Sequence, residues 1–261
     1  MKKILAILLV LIIATPIFAV DYNTMLQKAE EGNANAQFTL GYMYYHGKEV
    51  AQDYAAAAKW YRQAAMQSNV YAQLELGTMY YVGQGVAQNY TEAAKWFHQA
   101  AKQGNPFAQY NLGCMYFVGQ GVAQDYATAA KWFLQSAKQD NAPAQYYLGY
   151  IYYSGQGVAQ DYAEAAKWYR KAASQGNADA QLNMGNMYYE GRGVAQDYAA
   201  ALIWYNKSAE QGNTHAQYQL GNMYYYGLGA AEDHAEALKW YYKAAKLGHA
   251  EAKKAVKELG Y

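Results

Sequence analysis

Hydrophobic residues follow a helical period in two consecutive stretches that recur along most of the chain. In the first stretch the recurrent apolar residues share one helical face: Ala36, Leu40, Met43 and Tyr44. In the second stretch the same spacing holds for another set: Ala57, Trp60, Tyr61, Ala64 and Ala65. Intervals of three and four residues are typical of amphipathic α-helices. Each stretch is therefore predicted to form one helix, and we name the two helix A and helix B.

The pattern recurs every 36 residues without insertion or deletion. Every tryptophan of the protein occupies the same place in this period: Trp60, Trp96, Trp132, Trp168, Trp204 and Trp240. Six repeats are delimited in this way: 33–68, 69–104, 105–140, 141–176, 177–212 and 213–248. One pair of helices cannot bury two apolar faces alone, so consecutive repeats must stack on each other. The predicted fold class is all-α, an array of helix-turn-helix repeats.

Local signals place the ends of both helices. Asn33 and its equivalents stand where the N-cap of helix A belongs, and Gly47 follows as the residue that ends it. Asp53 or its equivalent is a good N-cap for helix B. Gly41 recurs in the middle of helix A, where glycine costs about 1 kcal/mol relative to alanine. Its retention in all six repeats predicts close approach of a neighbouring helix or of a Trp ring.

The two ends of the chain differ from the repeats. Residues 20–32 resemble a lone helix B and 249–261 a lone but polar helix A, so both are predicted to be capping helices. Residues 1–19 read as a secretory signal peptide: Lys2 and Lys3 precede the apolar run Ile4–Ile13, and cleavage is expected near Ala19. The mature protein is therefore expected to be exported from a bacterium, periplasmic or secreted, with no membrane span after cleavage. An uncleaved membrane anchor is the alternative interpretation of these residues.

Composition and motifs argue against several classes of function. The 21 Lys and Arg residues nearly balance the 20 Asp and Glu residues, so no basic excess is present to bind nucleic acid. The one cysteine, Cys114, cannot form an internal disulfide. The sequence contains no His-Glu-x-x-His pair, no Gly-x-Ser-x-Gly elbow and no Ser-x-x-Lys motif. We therefore predict no catalytic residues, no metal site and no cofactor.

The recurrent residues also resemble a known family. The fifth repeat shows them most completely: Ala180-Gln181, Met184-Gly185, Tyr188, Gly191, Gly193-Val194, Asp197-Tyr198, Trp204-Tyr205 and Ser208-Ala209. This set is similar to the Sel-one-like repeat (SLR) family, whose members are relatives of tetratricopeptide proteins. The resemblance covers residues 33–248 and implies a right-handed α-α superhelix, a solenoid in which helix A lines the concave surface. It further implies an adaptor or scaffold that binds a protein or peptide, and we expect a monomer.

The positions of helix A that vary most between repeats indicate where such a partner would bind. They are positions 35, 39, 42 and 46 and their equivalents at intervals of 36 residues, which form one stripe along the helix. We name this set the helix A stripe. The candidate partner-binding residues on it are Tyr42, Tyr71, Phe107, Asn111, Tyr147, Tyr150, Asn183, Asn186, Asn222 and Tyr226. The plainer interpretation is a solvent-facing surface that varies because nothing constrains it.

Two other functions stay open at the level of sequence. Some cysteine-rich exported members of the family have been described as weak β-lactamases, so a hydrolase of β-lactam or cell-wall substrates is one alternative. This chain departs from those members because it has a single cysteine. A secreted factor that engages host receptors is the other alternative, which would still be a binder but would act in a different place.

Overall fold

A computed structural model describes residues 21–259, which form fourteen α-helices and no β-strand. The helices are α1 (Tyr22–Glu30), α2 (Ala34–His46), α3 (Tyr54–Met66), α4 (Val70–Val82), α5 (Tyr90–Lys102), α6 (Pro106–Val118), α7 (Tyr126–Ala137), α8 (Ala142–Ser154), α9 (Tyr162–Ser174), α10 (Ala178–Glu190), α11 (Tyr198–Glu210), α12 (Thr214–Tyr225), α13 (His234–Lys246) and α14 (Ala250–Glu258). Helix A of the six repeats corresponds to the even-numbered helices α2 to α12. The predicted all-α fold class is confirmed.

The helices form two compact units, the first ending at Gln139 and the second beginning at Asp140. The first unit contains α1 to α7 and the second α8 to α14. Within each unit every helix packs against the helix that follows it. This consecutive packing is the arrangement that stacked repeats require, because each helix buries its apolar face against its neighbours in the chain.

The predicted helix ends are found in the structure. The side chain of Asn33 accepts a hydrogen bond from the backbone N–H of Ala36 at 3.0 Å, as an N-cap does. Gly47 ends α2 in the left-handed conformation, with φ of 65°. The carboxylate of Asp53 accepts from the N–H groups of Ala55 and Ala56 and caps α3. These local signals therefore divide the chain into helices of nearly constant length.

The mid-helix glycine accommodates an aromatic ring, but the ring does not belong to tryptophan. A Cβ atom added at Gly41 would lie 2.5 Å from Cδ1 of Tyr61, and one added at Gly77 would lie 2.7 Å from Cδ1 of Phe97. Tyr61 and Phe97 are fully buried, whereas Trp60 and Trp96, the residues just before them, are only partly buried. The expected close approach of a neighbouring helix is confirmed, because Tyr61 lies on α3, whereas the alternative of a Trp ring is corrected.

A ladder of glutamines joins helix A to the end of helix B in the first five repeats. The amide of Gln37 donates to the carbonyl oxygen of Ala29 at 3.0 Å and accepts from Gln67 at 2.8 Å. The second of these bonds recurs in the next four repeats at 2.7–2.9 Å, between Gln103 and Gln73, Gln139 and Gln109, Gln175 and Gln145, and Gln211 and Gln181. In the sixth repeat Leu247 stands in place of the donor. Consequently Oε1 of Gln217 is buried without a hydrogen-bond partner among the described residues.

The terminal helices pack on their neighbours by small residues. Ala29 of α1 and Ala252 of α14 are buried, and the hydroxyl groups of Tyr22 and Tyr44 are 2.8 Å apart. The predicted signal peptide, residues 1–19, lies outside the described residues. Between residues 21 and 259, no helix has both the length and the apolar composition needed to cross a membrane.

Candidate functional site

The helix A stripe runs along the side on which neighbouring helices A meet. In the first unit the rings of Phe38 and Tyr71 are 6.0 Å apart, which joins α2 to α4. The side-chain amide of Asn69 donates to Oδ1 of Asn35 at 3.1 Å across the same pair of repeats. In the second unit Asn213 donates to Asp179 in the equivalent way, at 3.0 Å. The stripe is thus held in place by contacts between successive repeats.

Exposure differs widely among the ten candidate residues. Tyr71 is 50% exposed and Tyr226 is 64% exposed, so each presents a ring to solvent. Seven others are partly buried: Tyr42, Phe107, Tyr147, Tyr150, Asn183, Asn186 and Asn222. Val82 and Val118, at the fourth position of the stripe, are also exposed. The accessible part of the stripe thus combines these aromatic and aliphatic side chains with five exposed polar residues: Asn35, His46, Asp179, Glu190 and His215.

Asn111 is a correction to the sequence-based prediction. Its side chain is fully buried, and neither polar atom of its amide has a partner in the described part of the chain. The neighbouring stripe residue Cys114 is also buried, and burial raises the pKa of its thiol. Variation between repeats therefore does not ensure exposure, because the side chains around a position decide whether water reaches it. Asn111 does not lie on an accessible surface in this conformation.

Two of the candidate asparagines already serve the fold. Oδ1 of Asn186 accepts a hydrogen bond from the hydroxyl of Tyr205, and Oδ1 of Asn222 accepts one from Tyr241, both at 2.8 Å. Tyr205 and Tyr241 are the buried rings that face Gly185 and Gly221. These asparagines therefore satisfy the hydroxyl groups of core tyrosines, and the side-chain amide of Asn222 in addition donates to Oε1 of Gln219 at 3.0 Å.

One stripe residue outside the ten candidates is Glu75, which lies between Tyr71 and Thr78 on α4. It is partly buried, and desolvation raises its pKa to about 7. Burial and then the charge of Glu75 raise the pKa of both Tyr45 and Tyr61, which places the carboxylate near these two rings. A search for catalytic motifs does not find such a residue. What distinguishes Glu75 is the lack of an ionic partner among the described residues, and a sequence motif does not show this.

The stripe of the second unit ends in a cleft of about 340 Å³ between α12, α13 and α14. Its lining consists of four tyrosines and an asparagine together with residues of α14: Tyr218, Asn222, Tyr225, Tyr226, Tyr241, Glu251, Lys254, Ala255, Glu258 and Leu259. Beside it the rings of Tyr218 and His249 stack at 4.7 Å. A cleft lined by aromatic faces, with a few polar groups at its rim, is better suited to binding a side chain than to catalysing a reaction on that side chain.

A family model for the Sel1 repeat matches six consecutive segments of this chain: residues 34–69, 70–105, 106–141, 142–177, 178–213 and 214–249. The chain belongs to the Sel1-repeat family. Each matched segment begins one residue after the start of a repeat delimited from the sequence. Sel1-repeat proteins generally act as scaffolds for protein interactions and are generally non-catalytic.

Two solved Sel1-repeat structures share the fold at substantial identity. The protective antigen c5321 of uropathogenic Escherichia coli is 37% identical, with a TM-score of 0.80 over 92% of this chain and 59% of its own. A Sel1 repeat protein from Oxalobacter formigenes is 34% identical, with a TM-score of 0.75 over 86% of both chains. The secretory immunoglobulin A-binding protein EsiB of Escherichia coli O6:H1 is 44% identical over 45 residues, which are 17% of this chain and 9% of EsiB. The chain thus spans less than two thirds of the length of c5321 and EsiB.

The Sel1 repeats bring few metal-ligating side chains together. Within residues 21–259 no group of three or more His, Cys, Asp or Glu side chains is arranged to hold a metal ion. His215 and His249 approach each other, with 3.2 Å between Nδ1 of the former and Nε2 of the latter. This pair couples α14 to α12.

Proposed function

We propose that this Sel1-repeat protein is a non-catalytic adaptor that binds a protein or peptide segment on the helix A stripe. The observation that carries the proposal is the placement of exposed Tyr71 and Tyr226 on that stripe, one in each unit. Tyrosine supplies a large amphipathic contact area and loses little conformational entropy on binding, so it is enriched in interfaces. Five other tyrosines of the repeats are buried in the core instead: Tyr61, Tyr110, Tyr169, Tyr205 and Tyr241.

Preorganisation supports the same function. The backbone of the stripe is helical from the Asn N-cap to the Gly that ends each helix A, and buried rings hold each helix against its partner. A ligand therefore meets a surface that is already formed, and little of the binding free energy is spent on ordering it. The proposal includes residues 20–32 and 249–261 as capping helices that close the apolar ends of the stack.

The site of action that we propose is the bacterial envelope or the exterior of the cell. The signal-peptide pattern of residues 1–19 supports export. A second candidate function, a secreted factor that binds a host protein, is favoured by the similarity to a protective antigen and, over a short segment, to a secretory immunoglobulin A-binding protein. Both candidates use the same binding surface and differ in the partner.

The experiment compares the parent protein with a double tyrosine variant of the stripe and a control variant. Protein lacking residues 1–19 is immobilised, and partners are captured from envelope extract of the producing bacterium and, separately, from mucosal secretions. The double variant Tyr71→Ala/Tyr226→Ala should lose the captured partner while its thermal midpoint stays close to that of the parent. The control is Tyr242→Ala, which removes a ring that is 61% exposed on the helix B α13.

The source of the partner separates the two candidates. Capture from envelope extract supports the adaptor, and capture from secretions supports the host-binding factor. If Tyr242→Ala abolishes capture and the stripe variant retains it, the partner binds helix B, and the proposed surface is wrong.

A further inference from the structure

Charged residues are distributed unequally between the two kinds of helix. The six helices A, α2 to α12, contain no Lys and no Arg. Their carboxylates are Glu75, Asp179 and Glu190, and all three occupy positions of the helix A stripe. The basic residues of the repeats lie on helices B and in loops. The stripe therefore presents only negative formal charge on its helices, and it favours a basic ligand by charge complementarity.

Two of the three carboxylates already have partners. Asp179 accepts a hydrogen bond from Asn213 at 3.0 Å, and Glu190 forms an ion pair with Arg192 at 3.0 Å. Glu75 has neither: no basic nitrogen lies within 4.0 Å of it and no hydrogen bond reaches it from residues 21–259. A partly buried carboxylate without compensation is costly, because burial removes water without supplying a counter-charge.

Aromatic residues lie near this carboxylate. Tyr71 precedes Glu75 by one helical turn on the same face of α4 and is half exposed. Tyr45 and Tyr61 both respond electrostatically to its charge. The faces of tyrosine rings attract ammonium and guanidinium groups, most strongly where water is excluded. A carboxylate beside such rings suits a Lys or Arg side chain better than a neutral or acidic one.

We propose that Glu75 and Tyr71 form an anchor subsite for an Arg or Lys side chain of the protein partner, and that binding of this side chain releases a proton. This inference rests on the proposed function, since it identifies the chemistry of the segment that the stripe would bind. Desolvation holds the pKa of Glu75 at about 7, so the carboxyl group is partly protonated at neutral pH. A bound cation favours the ionised form and displaces the proton into solvent.

Three of the lysines on helices B already have an acidic partner. Lys95, Lys167 and Lys239 each form an ion pair with a glutamate one turn earlier on the same helix, at 2.6–2.9 Å. Their charge is already compensated along the exposed face. Glu75 is therefore the carboxylate on helix A that retains the capacity to bind a cation.

The probe for this subsite is an acetylated and amidated hexa-arginine peptide, with hexa-glutamate as the negative control. Calorimetric titration near pH 7, in phosphate and in Tris at physiological salt, measures affinity and proton release together. The parent protein should release a fraction of a proton per peptide, because a carboxyl group whose pKa is raised toward the working pH is partly protonated before the peptide binds. Glu75→Gln should weaken binding about tenfold and abolish the release.

Matched variants distinguish binding at the Glu75 subsite from non-specific attraction between a basic peptide and the other carboxylates of the stripe. Asp179→Asn and Glu190→Gln remove one stripe charge each and should change the affinity less than about threefold, because both groups already have partners. A ¹³C titration of the Glu75 carboxyl in the parent protein needs no variant: its pKa should fall when hexa-arginine is added.

Three results would overturn the inference: no binding of hexa-arginine to the parent, equal binding and proton release by Glu75→Gln, or an unchanged titration of Glu75 in saturating peptide. Its failure is distinguishable from failure of the proposed function. If Glu75→Gln captures the natural partner normally while Tyr71→Ala/Tyr226→Ala does not, the stripe binds its partner without this anchor.

Discussion

The unpaired end of the glutamine ladder permits two predictions about stability, one for a substitution that completes the ladder and one for a substitution that breaks it. In five repeats a glutamine in the turn after helix B donates to the buried glutamine of helix A, and in the sixth Leu247 leaves Oε1 of Gln217 unpartnered. Leu247 is 59% exposed, so replacing it sacrifices little apolar burial. Leu247→Gln should therefore stabilise the second unit.

The magnitude follows from the hydrogen bond that is restored. A net intramolecular hydrogen bond contributes about 0.5–1.5 kcal/mol, and a buried polar group left unpaired costs about 1–3 kcal/mol. We expect Leu247→Gln to gain about 1–2 kcal/mol, part of the ideal value being lost to ordering of the new side chain. The reciprocal change Gln211→Leu leaves Oε1 of Gln181 unpaired and should cost about 1–3 kcal/mol.

Urea unfolding monitored by circular dichroism measures both variants. The midpoint should rise for Leu247→Gln and fall for Gln211→Leu, with the slope unchanged. Each kcal/mol corresponds to about 2–4 °C in the thermal midpoint for a chain of this size. If Leu247→Gln lowers the midpoint, or if Gln211→Leu has no effect, the glutamine ladder does not stabilise the repeats.

Two further perturbations address the core and the last helix. Phe97→Ala removes the fully buried ring that faces Gly77 and should cost about 3–5 kcal/mol in urea unfolding, and a loss below about 1 kcal/mol would contradict its place in the core. His249 caps α14 by accepting from Ala252, beside His215, Tyr218 and Glu251; desolvation and then His215 lower its pKa. The stabilising contribution of neutral His249 should be complete above about pH 6.5, the ordinary pKa of histidine, and should be lost as the pH falls through the lowered pKa of His249. The hydrogen-exchange protection factors of α14 should therefore fall in acid, and His249→Asn, with the N-cap of the other repeats, should remove that dependence.

The sequence predicts the helices well because their ends depend on local chemistry. Asn33, Gly47 and Asp53 act within one or two turns of their own positions, so periodicity and capping preferences suffice to place α2 and α3. The residue that packs against the glycine of helix A could be identified only from the structure. Trp60 and Tyr61 are adjacent in the chain, and only packing shows that Tyr61 faces Gly41.

The candidate site was less predictable, since its properties arise between elements. Asn111 and Asn183 occupy equivalent positions, yet the first is fully buried and the second only partly buried. The difference comes from the surrounding side chains, which periodicity does not describe. The uncompensated charge of Glu75 could not be predicted from periodicity either, because the lack of an ionic partner is recognised only when all neighbouring side chains are known.

The most direct test of the helix A stripe as the binding surface is site-specific photo-crosslinking to the captured partner. The photoreactive amino acid p-benzoylphenylalanine is introduced in place of Tyr71, of Tyr226 or of Tyr242, three exposed tyrosines. Binding on the stripe predicts crosslinks from positions 71 and 226 and none from position 242. Crosslinks from position 242 alone would place the partner on helix B and contradict the account.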